Sequence, residues 1–233
     1  MVITLGIRKN NMFLLFLSSL LYADTLKVAV LDTGLNLKDE RFTSVLCKSG
    51  HANFSREAGI EDKFGHGTHV TGLIKQYAKN ADYCLMIIKF IGARGEASIS
   101  SEVYGIEHAI NNGAKIINIS SGGKGFNEYE SLIIEANPKV KFIVAAGNES
   151  SDIESNHYYP AYYSRYFSNV YVVGALNEAG NISSQSNYGA LVKFWELGDN
   201  VMSTWITGYK ELSGTSMATG IFTGKMINKG VFK

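Results

Sequence analysis

The sequence is poor in proline, in cysteine and in excess charge of either sign. Two prolines among 233 residues leave turn formation mainly to the 24 glycines. The 22 basic and 21 acidic residues give a net charge of +1, so we expect neither a basic face for nucleic acid nor an acidic tail. With 45% apolar residues the chain is long enough to bury the core of one domain.

The N-terminal apolar run, residues 12–21, is too short to span a bilayer. It follows two basic residues and leads to Ala23, a pattern typical of a secretory signal peptide, which we place at residues 1–23. The alternative is a buried core helix, although no polar face or cap accompanies the run. We therefore expect a domain over residues 24–233 that is secreted or periplasmic and, after signal removal, not bound to a membrane.

Short apolar and β-branched runs alternate with helical patterns along the rest of the chain. The runs at 26–31, 44–47, 83–90, 115–119, 141–145 and 170–173 predict strands, and the patterns at 66–79, 100–112, 129–136 and 216–228 predict helices. Continuous apolar strands are typical of a parallel sheet covered on both faces. The sequence thus predicts an α/β fold of three layers, with a mostly parallel central sheet and helices on both faces.

The first candidate site residue is Asp32, which follows the first predicted strand in the motif V-L-D-T-G, residues 30–34. Open α/β folds place their sites at the carboxyl edge of the sheet, where this aspartate is expected. Taken alone, the motif also fits a phosphate acceptor, a metal ligand or a plain turn.

A second motif, G-H-G-T-H-V-T-G at residues 65–72, places His66 at a glycine-flanked helix start and His69 about one turn later. A zinc site is not expected, because the H-E-x-x-H pattern has histidines four apart with a glutamate between them. Two interpretations remain: a catalytic base at the helix entrance, or a pair of core histidines.

A third motif, S-G-T-S-M-A-T-G at residues 213–220, places Ser216 at the head of a helical pattern, after a glycine that a tight loop needs. The dipole and free N–H groups of a helix N-terminus favour negative charge that develops nearby. The alternative role of Ser216 is that of a helix cap.

Asp, His and Ser in this order, each within this flanking sequence, resemble the subtilisin-like serine protease family, peptidase S8. The resemblance implies a subtilisin-like fold and a serine endopeptidase that works through an acyl-enzyme intermediate. It makes Ser216 the nucleophile, His66 the general base and then acid, and Asp32 the group that orients and stabilises the imidazolium.

The resemblance also implies an oxyanion donor and a peptide-binding cleft. Asn148, in A-A-G-N-E, stands where the family supplies the oxyanion-hole amide, although a turn-forming asparagine is the alternative. Tyr158 stands at the floor of the S1 pocket, where relatives commonly have a small residue, so we expect small or medium side chains at P1. The implied substrate-binding residues are Ser120, Ser121, Gly122, Ala146, Gly147, Gly95 and Tyr158.

The sequence departs from the family pattern in several places. We expect no pro-domain, and no calcium at residues 79–82, where relatives often carry a calcium-binding loop. No metal and no cofactor is expected elsewhere. Gly220 stands where the family usually has proline, and glycine costs about 1 kcal/mol inside a helix relative to alanine.

The two cysteines, Cys47 and Cys84, have no metal-ligand spacing, and an even count in a secreted chain permits one disulfide. The resemblance implies that their two runs lie side by side in the sheet, so we predict that they are bridged. Two free buried thiols are the alternative.

The expected partner is a protein or peptide substrate, and the sequence does not indicate which inhibitor or folding partner the protein has. Two further functions stay open at this point. One is a catalytically weak protein that keeps the peptide groove, and the other is an acyl transferase that passes the acyl group to an amine instead of water.

Overall fold

The computed structural model describes residues 25–79 and 81–229, so the signal peptide predicted at residues 1–23 lies outside the described residues. A seven-stranded sheet has the order β2-β3-β1-β4-β5-β6-β7, and every neighbouring pair is parallel. Its strands are β1 (Leu26–Asp32), β2 (Ala52–Asn53), β3 (Tyr83–Lys89), β4 (Ile116–Ile119), β5 (Lys141–Ala145), β6 (Val170–Leu176) and β7 (Phe194–Leu197). Two more strands, β8 (Val201–Thr204) and β9 (Tyr209–Leu212), form a separate antiparallel pair.

Helices cover both faces of the sheet, as the sequence predicts. They are α1 (His66–Tyr77), α2 (Ile99–Asn111), α3 (Glu128–Ala136), the short α4 (Ile153–Asn156) and α5 (Thr215–Asn228). Successive residues of a strand point to opposite faces. Ala29 and Leu31 therefore join the core beneath α2 and α3, while Val28 and Val30 join the core beneath α1 and α5. These two cores on one sheet make the three-layer α/β fold.

Helices α1 and α5 pack closely because two glycines of α5 face α1. A Cβ added at Gly224 would lie 2.6 Å from the carbonyl oxygen of Ile74, and one added at Gly220 would lie 3.2 Å from that of Val70. Both contacts advance by four residues in the same direction, from Gly220 to Gly224 in α5 and from Val70 to Ile74 in α1. The two helices therefore run parallel, and their first turns lie at the same end. Gly220, expected only to weaken α5, has a packing role at this contact.

The strand predicted at residues 44–47 is wrong. The chain forms a 3-10 helix, Glu40–Val45, whose first turn is capped by the Asp39 carboxylate accepting from the Arg41 N–H. A short apolar run cannot by itself distinguish a strand from a capped turn that buries one side chain, here Phe42. Only Leu46 keeps a bridge to β3, opposite Leu85.

The disulfide predicted between Cys47 and Cys84 is present. The Cα atoms of the two residues lie 4.8 Å apart, within the roughly 4.4–6.8 Å that a bridge requires. The Cys47 N–H also donates to the Leu85 carbonyl oxygen at 3.0 Å. The bridge therefore fastens the 3-10 segment to β3.

In residues 25–79 and 81–229, no helix is both long enough and apolar enough to cross a membrane.

Candidate active site

The three residues of the proposed triad lie at the ends of elements that meet at the carboxyl edge of the sheet. Asp32 is the last residue of β1, His66 the first of α1 and Ser216 the second of α5. The parallel packing of α1 and α5 puts the two helix starts side by side. The fold thus brings together three residues that are 34 and 150 positions apart in the chain.

Asp32 and His66 form a bonded pair. The Nδ1 atom of His66 lies 2.8 Å from Oδ1 and 2.9 Å from Oδ2 of Asp32. The Asp32 side chain is 1% exposed and that of His66 is 21% exposed. Because a carboxylate only accepts hydrogen bonds, Nδ1 carries the proton of the neutral imidazole and Nε2 is left as a proton acceptor. This is the tautomer that a general base needs.

The surroundings of His66 favour its charged form. Burial lowers the pKa of His66, but the charge of Asp32, the hydrogen bond that Nδ1–H donates to Asp32 and the charge of Asp62 together raise that pKa above its ordinary value. An imidazolium formed here is therefore stabilised by two carboxylates.

Ser216 is 8% exposed, and its hydroxyl donates to the backbone oxygen of Ser120 at 2.8 Å. Within the described ranges no hydrogen bond joins it to His66. Catalytic hydrogen bonds are often long or unmade in the absence of substrate, so this geometry leaves the nucleophile role open. The backbone N–H of Ser216 lies in the first turn of α5, where N–H groups have no partner within the helix.

Asn148 follows β5 and lies beside the start of α5. Its Oδ1 accepts from the backbone N–H of Thr215 at 2.9 Å and from the Thr215 hydroxyl at 3.1 Å. A backbone N–H can only donate, so the atom facing it is the amide oxygen and not the nitrogen. Nδ2 is thereby directed away from Thr215, and it has no partner in the part of the chain that the structure describes.

Tyr158 fills a gap between two backbone segments that the sequence assigns to the substrate cleft. A Cβ added at Gly122 would lie 2.6 Å from its Cε1, and a Cβ added at Gly147 would lie 2.8 Å from its Cζ. The tyrosine is 7% exposed. Burial and the nearby charges of Glu149 and Glu102 raise the pKa of Tyr158, so its phenol stays neutral.

Comparison with known proteins shows the family of the chain. Residues 23–226 match the model of the subtilase family, Peptidase_S8. The chain belongs to the subtilase family. An alkaline protease of Alkalihalobacillus alcalophilus is 36% identical over 205 residues, which are 83% of this chain and 50% of that protein. Subtilisin BL of Lederbergia lenta is 35% identical over 204 residues, covering 83% of this chain and 71% of the relative.

A solved structure leads to the same family. The crystal structure of a cold-adapted subtilisin-like serine proteinase superposes with a TM-score of 0.73 at 31% identity, covering 85% of this chain and 72% of that one. The chain spans about half the length of the alkaline protease above and nearly three quarters of Subtilisin BL.

The remaining residues that the sequence assigns to the cleft follow the carboxyl ends of β4, β5 and β3, at the same edge of the sheet. Ser121 and Gly122 continue from Ser120 beyond β4, and the Ser121 hydroxyl is buried without a partner among the described residues. Ala146 is buried, and its carbonyl oxygen accepts from the Asn187 side chain at 2.8 Å. Gly95 lies in a turn after β3, where an added Cβ would be 3.5 Å from the ring of Phe64.

His69 is a core histidine, one of the two interpretations that the sequence left open. Its Nε2 lies 3.1 Å from the carbonyl oxygen of Val201 and 2.9 Å from that of Lys210, and the residue is fully buried. Burial lowers the pKa of His69, so the ring is neutral. In residues 25–79 and 81–229 no three His, Cys, Asp or Glu side chains cluster as a metal site would require.

Sequence reasoning missed Asp62, which is 2% exposed and whose carboxylate accepts from the Gly65 N–H just before His66. It also missed the buried Glu130 and the half-buried Glu102, whose Oε1 atom is buried. The one signal that could have identified Asp62 is its place four residues before a histidine at a helix start. For the glutamates the sequence carries no signal, because their burial arises where α2 meets α3.

Proposed function

We propose that this subtilase is a secreted serine endopeptidase that cuts peptide bonds with Asp32, His66 and Ser216. The observation that carries the proposal is the hydrogen-bonded Asp32–His66 pair at the shared end of α1 and α5, where Ser216 also lies. Membership of the subtilase family supports it, as do the protease names of the relatives.

In the proposed reaction, the Ser216 hydroxyl turns from the Ser120 carbonyl to Nε2 of His66, which takes its proton as Oγ attacks the scissile carbonyl. Asp32 keeps the imidazole oriented and stabilises the positive charge that it gains. His66 then gives the proton to the leaving amine, which departs and leaves an acyl-enzyme. Water repeats the sequence, and the peptide acid is released as Ser216 regains its proton.

The developing oxyanion is met by two donors in this scheme. Nδ2 of Asn148 is one, and the first-turn N–H of Ser216 is the other. The bonds from Thr215 to Oδ1 hold the Asn148 side chain before substrate arrives, so little reorganisation is needed in the transition state.

We further propose that the substrate is an extended peptide with a small residue at P1. The peptide would lie along residues 120–122 as an added strand, with the opposite wall near Gly95. Tyr158 occupies the space between Gly122 and Gly147 into which a large P1 side chain would reach. Secretion fits the signal pattern of residues 1–23 and the Cys47–Cys84 bridge, since disulfides persist in oxidising compartments.

The proposal is tested by incubating the purified protein with a peptide library and analysing the products. Hydrolysis should yield free carboxylic acids, be lost in Ser216→Ala and persist in Ser213→Ala, because Ser213 is exposed and its hydroxyl accepts from the Asn200 N–H. Binding without cleavage would indicate a pseudoprotease. Products joined to an added amine in preference to water would indicate an acyl transferase.

A further inference from the structure

Asp62 is a buried carboxylate that accepts five hydrogen bonds, all from groups close to the triad. Its Oδ1 accepts from the N–H groups of Phe64 and Gly65 at 3.0 and 2.7 Å and from the Thr33 hydroxyl at 2.9 Å. Its Oδ2 accepts from the N–H of Thr68 at 2.9 Å and from the Thr68 hydroxyl at 2.7 Å. The whole residue is 2% exposed.

These bonds hold the backbone on both sides of His66. Gly65, the residue before it, donates to Asp62 directly. Gly67, the residue after it, donates to the Thr33 hydroxyl at 2.8 Å, and that hydroxyl donates to Asp62. Thr33 also follows Asp32 in the chain, and its N–H donates to the Asp32 carboxylate at 2.7 Å. Asp62 and Thr33 together therefore tie the end of β1 to the start of α1.

The site requires a carboxylate and not an amide. The hydroxyl oxygen of Thr68 already accepts from the N–H of Asn36 at 3.0 Å, so its proton is directed to Asp62. An amide nitrogen at Oδ2 would face two donors, and one at Oδ1 would face three. A hydroxyl can turn to accept from an amide, but a backbone N–H cannot. An asparagine would thus lose at least one backbone N–H bond and leave that buried donor unpaired.

We propose that Asp62 is a positioning residue, which sets the Asp32–His66 geometry through Thr33 and the Gly65 N–H and places a second negative charge near the imidazole. Among the described residues, the charges of Asp32 from β1 and Asp62 from the loop before α1 act on His66, and His69 lies about one turn later on α1. Because His69 is neutral, the two carboxylates set the field at the ring.

The role in catalysis rests on the proposed peptidase function, but the effect on His66 does not. Replacing Asp62 by asparagine removes one charge and loosens the helix start while leaving the identities of the three triad residues unchanged. The pKa of His66 should therefore fall. If the protein is a peptidase, kcat should fall by roughly tenfold to a hundredfold with KM little changed, as expected for a displacement of reacting groups.

The test uses NMR titration of the His66 imidazole in the full chain, for wild type, Asp62→Asn and Asp39→Asn. Asp39→Asn makes the same chemical change at a cap and ion pair formed with Arg41, and should leave the His66 pKa at its wild-type value. A lowered His66 pKa only in Asp62→Asn supports the proposal, whereas an unchanged pKa in folded Asp62→Asn overturns it.

A second pair of variants keeps the test decisive if Asp62→Asn does not fold. Thr33→Val removes the linking hydroxyl and should lower the His66 pKa, while Thr33→Ser restores the hydroxyl and the pKa. Equal titration in all three proteins would overturn the link. A wild-type protein that cuts no peptide would refute the proposed function, yet the titration would still decide the role of Asp62.

Discussion

Replacing Tyr158 by alanine should convert a small S1 pocket into one that accepts an aromatic side chain. The ring of Tyr158 lies between Gly122 and Gly147, with its Cε1 and Cζ atoms where side chains on those glycines would project. Removing the ring leaves the backbone of both walls in place. The space that opens has the cross-section of the phenyl group that was removed.

The size of the effect follows from the surface that a P1 phenylalanine would bury. Full burial of a phenylalanine side chain is worth about 1.5–3 kcal/mol. Since each 1.4 kcal/mol is a factor of ten, kcat/KM for a Phe substrate relative to an Ala substrate should rise by about tenfold to a hundredfold. The wild-type enzyme should prefer Ala.

The assay compares kcat/KM for two peptides that differ only at P1, Ala or Phe, in wild type, Tyr158→Ala and Tyr166→Ala. Tyr166 is 64% exposed and serves as the matched control for loss of a tyrosine ring. A Phe-to-Ala ratio that is the same in all three proteins would refute the reasoning, as would a wild-type enzyme that prefers Phe.

Three further predictions concern the site and the stability of the fold. Asn148→Ala should lower kcat by roughly a hundredfold to a thousandfold, which corresponds to about 2.7–4 kcal/mol of transition-state stabilisation and is the range known for this donor in subtilisin itself. KM should be nearly unchanged, and an unaltered kcat would exclude the donor role. Burial raises the pKa of Glu130 to about 7, so the folded protein holds a proton that the unfolded chain releases near pH 4.5. The free energy of unfolding should therefore fall as pH rises from 5 to 8, and Glu130→Gln should flatten that slope; an equal slope in chemical denaturation would contradict this. Replacing Cys47 and Cys84 by serine opens a loop of 37 positions and should cost up to roughly 4 kcal/mol of stability, and two free thiols in native protein would exclude the bridge.

Much of the fold could be predicted because parallel strands buried on both faces are continuous apolar runs. The edge elements could not. Strand β7 and the strands of the β8–β9 hairpin are only four residues long and mix apolar with polar residues, as in Phe194–Leu197 and Tyr209–Leu212, so their apolar signal is weak. The run at residues 44–47 has an apolar signal but forms no strand, because it belongs to the end of a capped 3-10 helix and the residues that follow it.

Some residues of the candidate site could likewise be predicted from the sequence, and others could not. The positions of Asp32, His66 and Ser216 were inferred from short motifs, because each lies at the end of a regular element. The role of Asp62 depends on bonds to residues up to 29 positions away, and only the folded chain brings them together. The packing of Tyr158 between Gly122 and Gly147 likewise arises from segments that are distant in the sequence.

The central claim is that Ser216 is a nucleophile activated by the Asp32–His66 pair. The most direct measurement is to treat the purified protein with a fluorophosphonate and map the adduct by mass spectrometry, with His66→Ala and Ser216→Ala as comparisons. We expect one phosphonylated residue, Ser216, with labelling lost in Ser216→Ala and strongly slowed in His66→Ala. An adduct on another residue, or peptide hydrolysis that persists in Ser216→Ala, would contradict it.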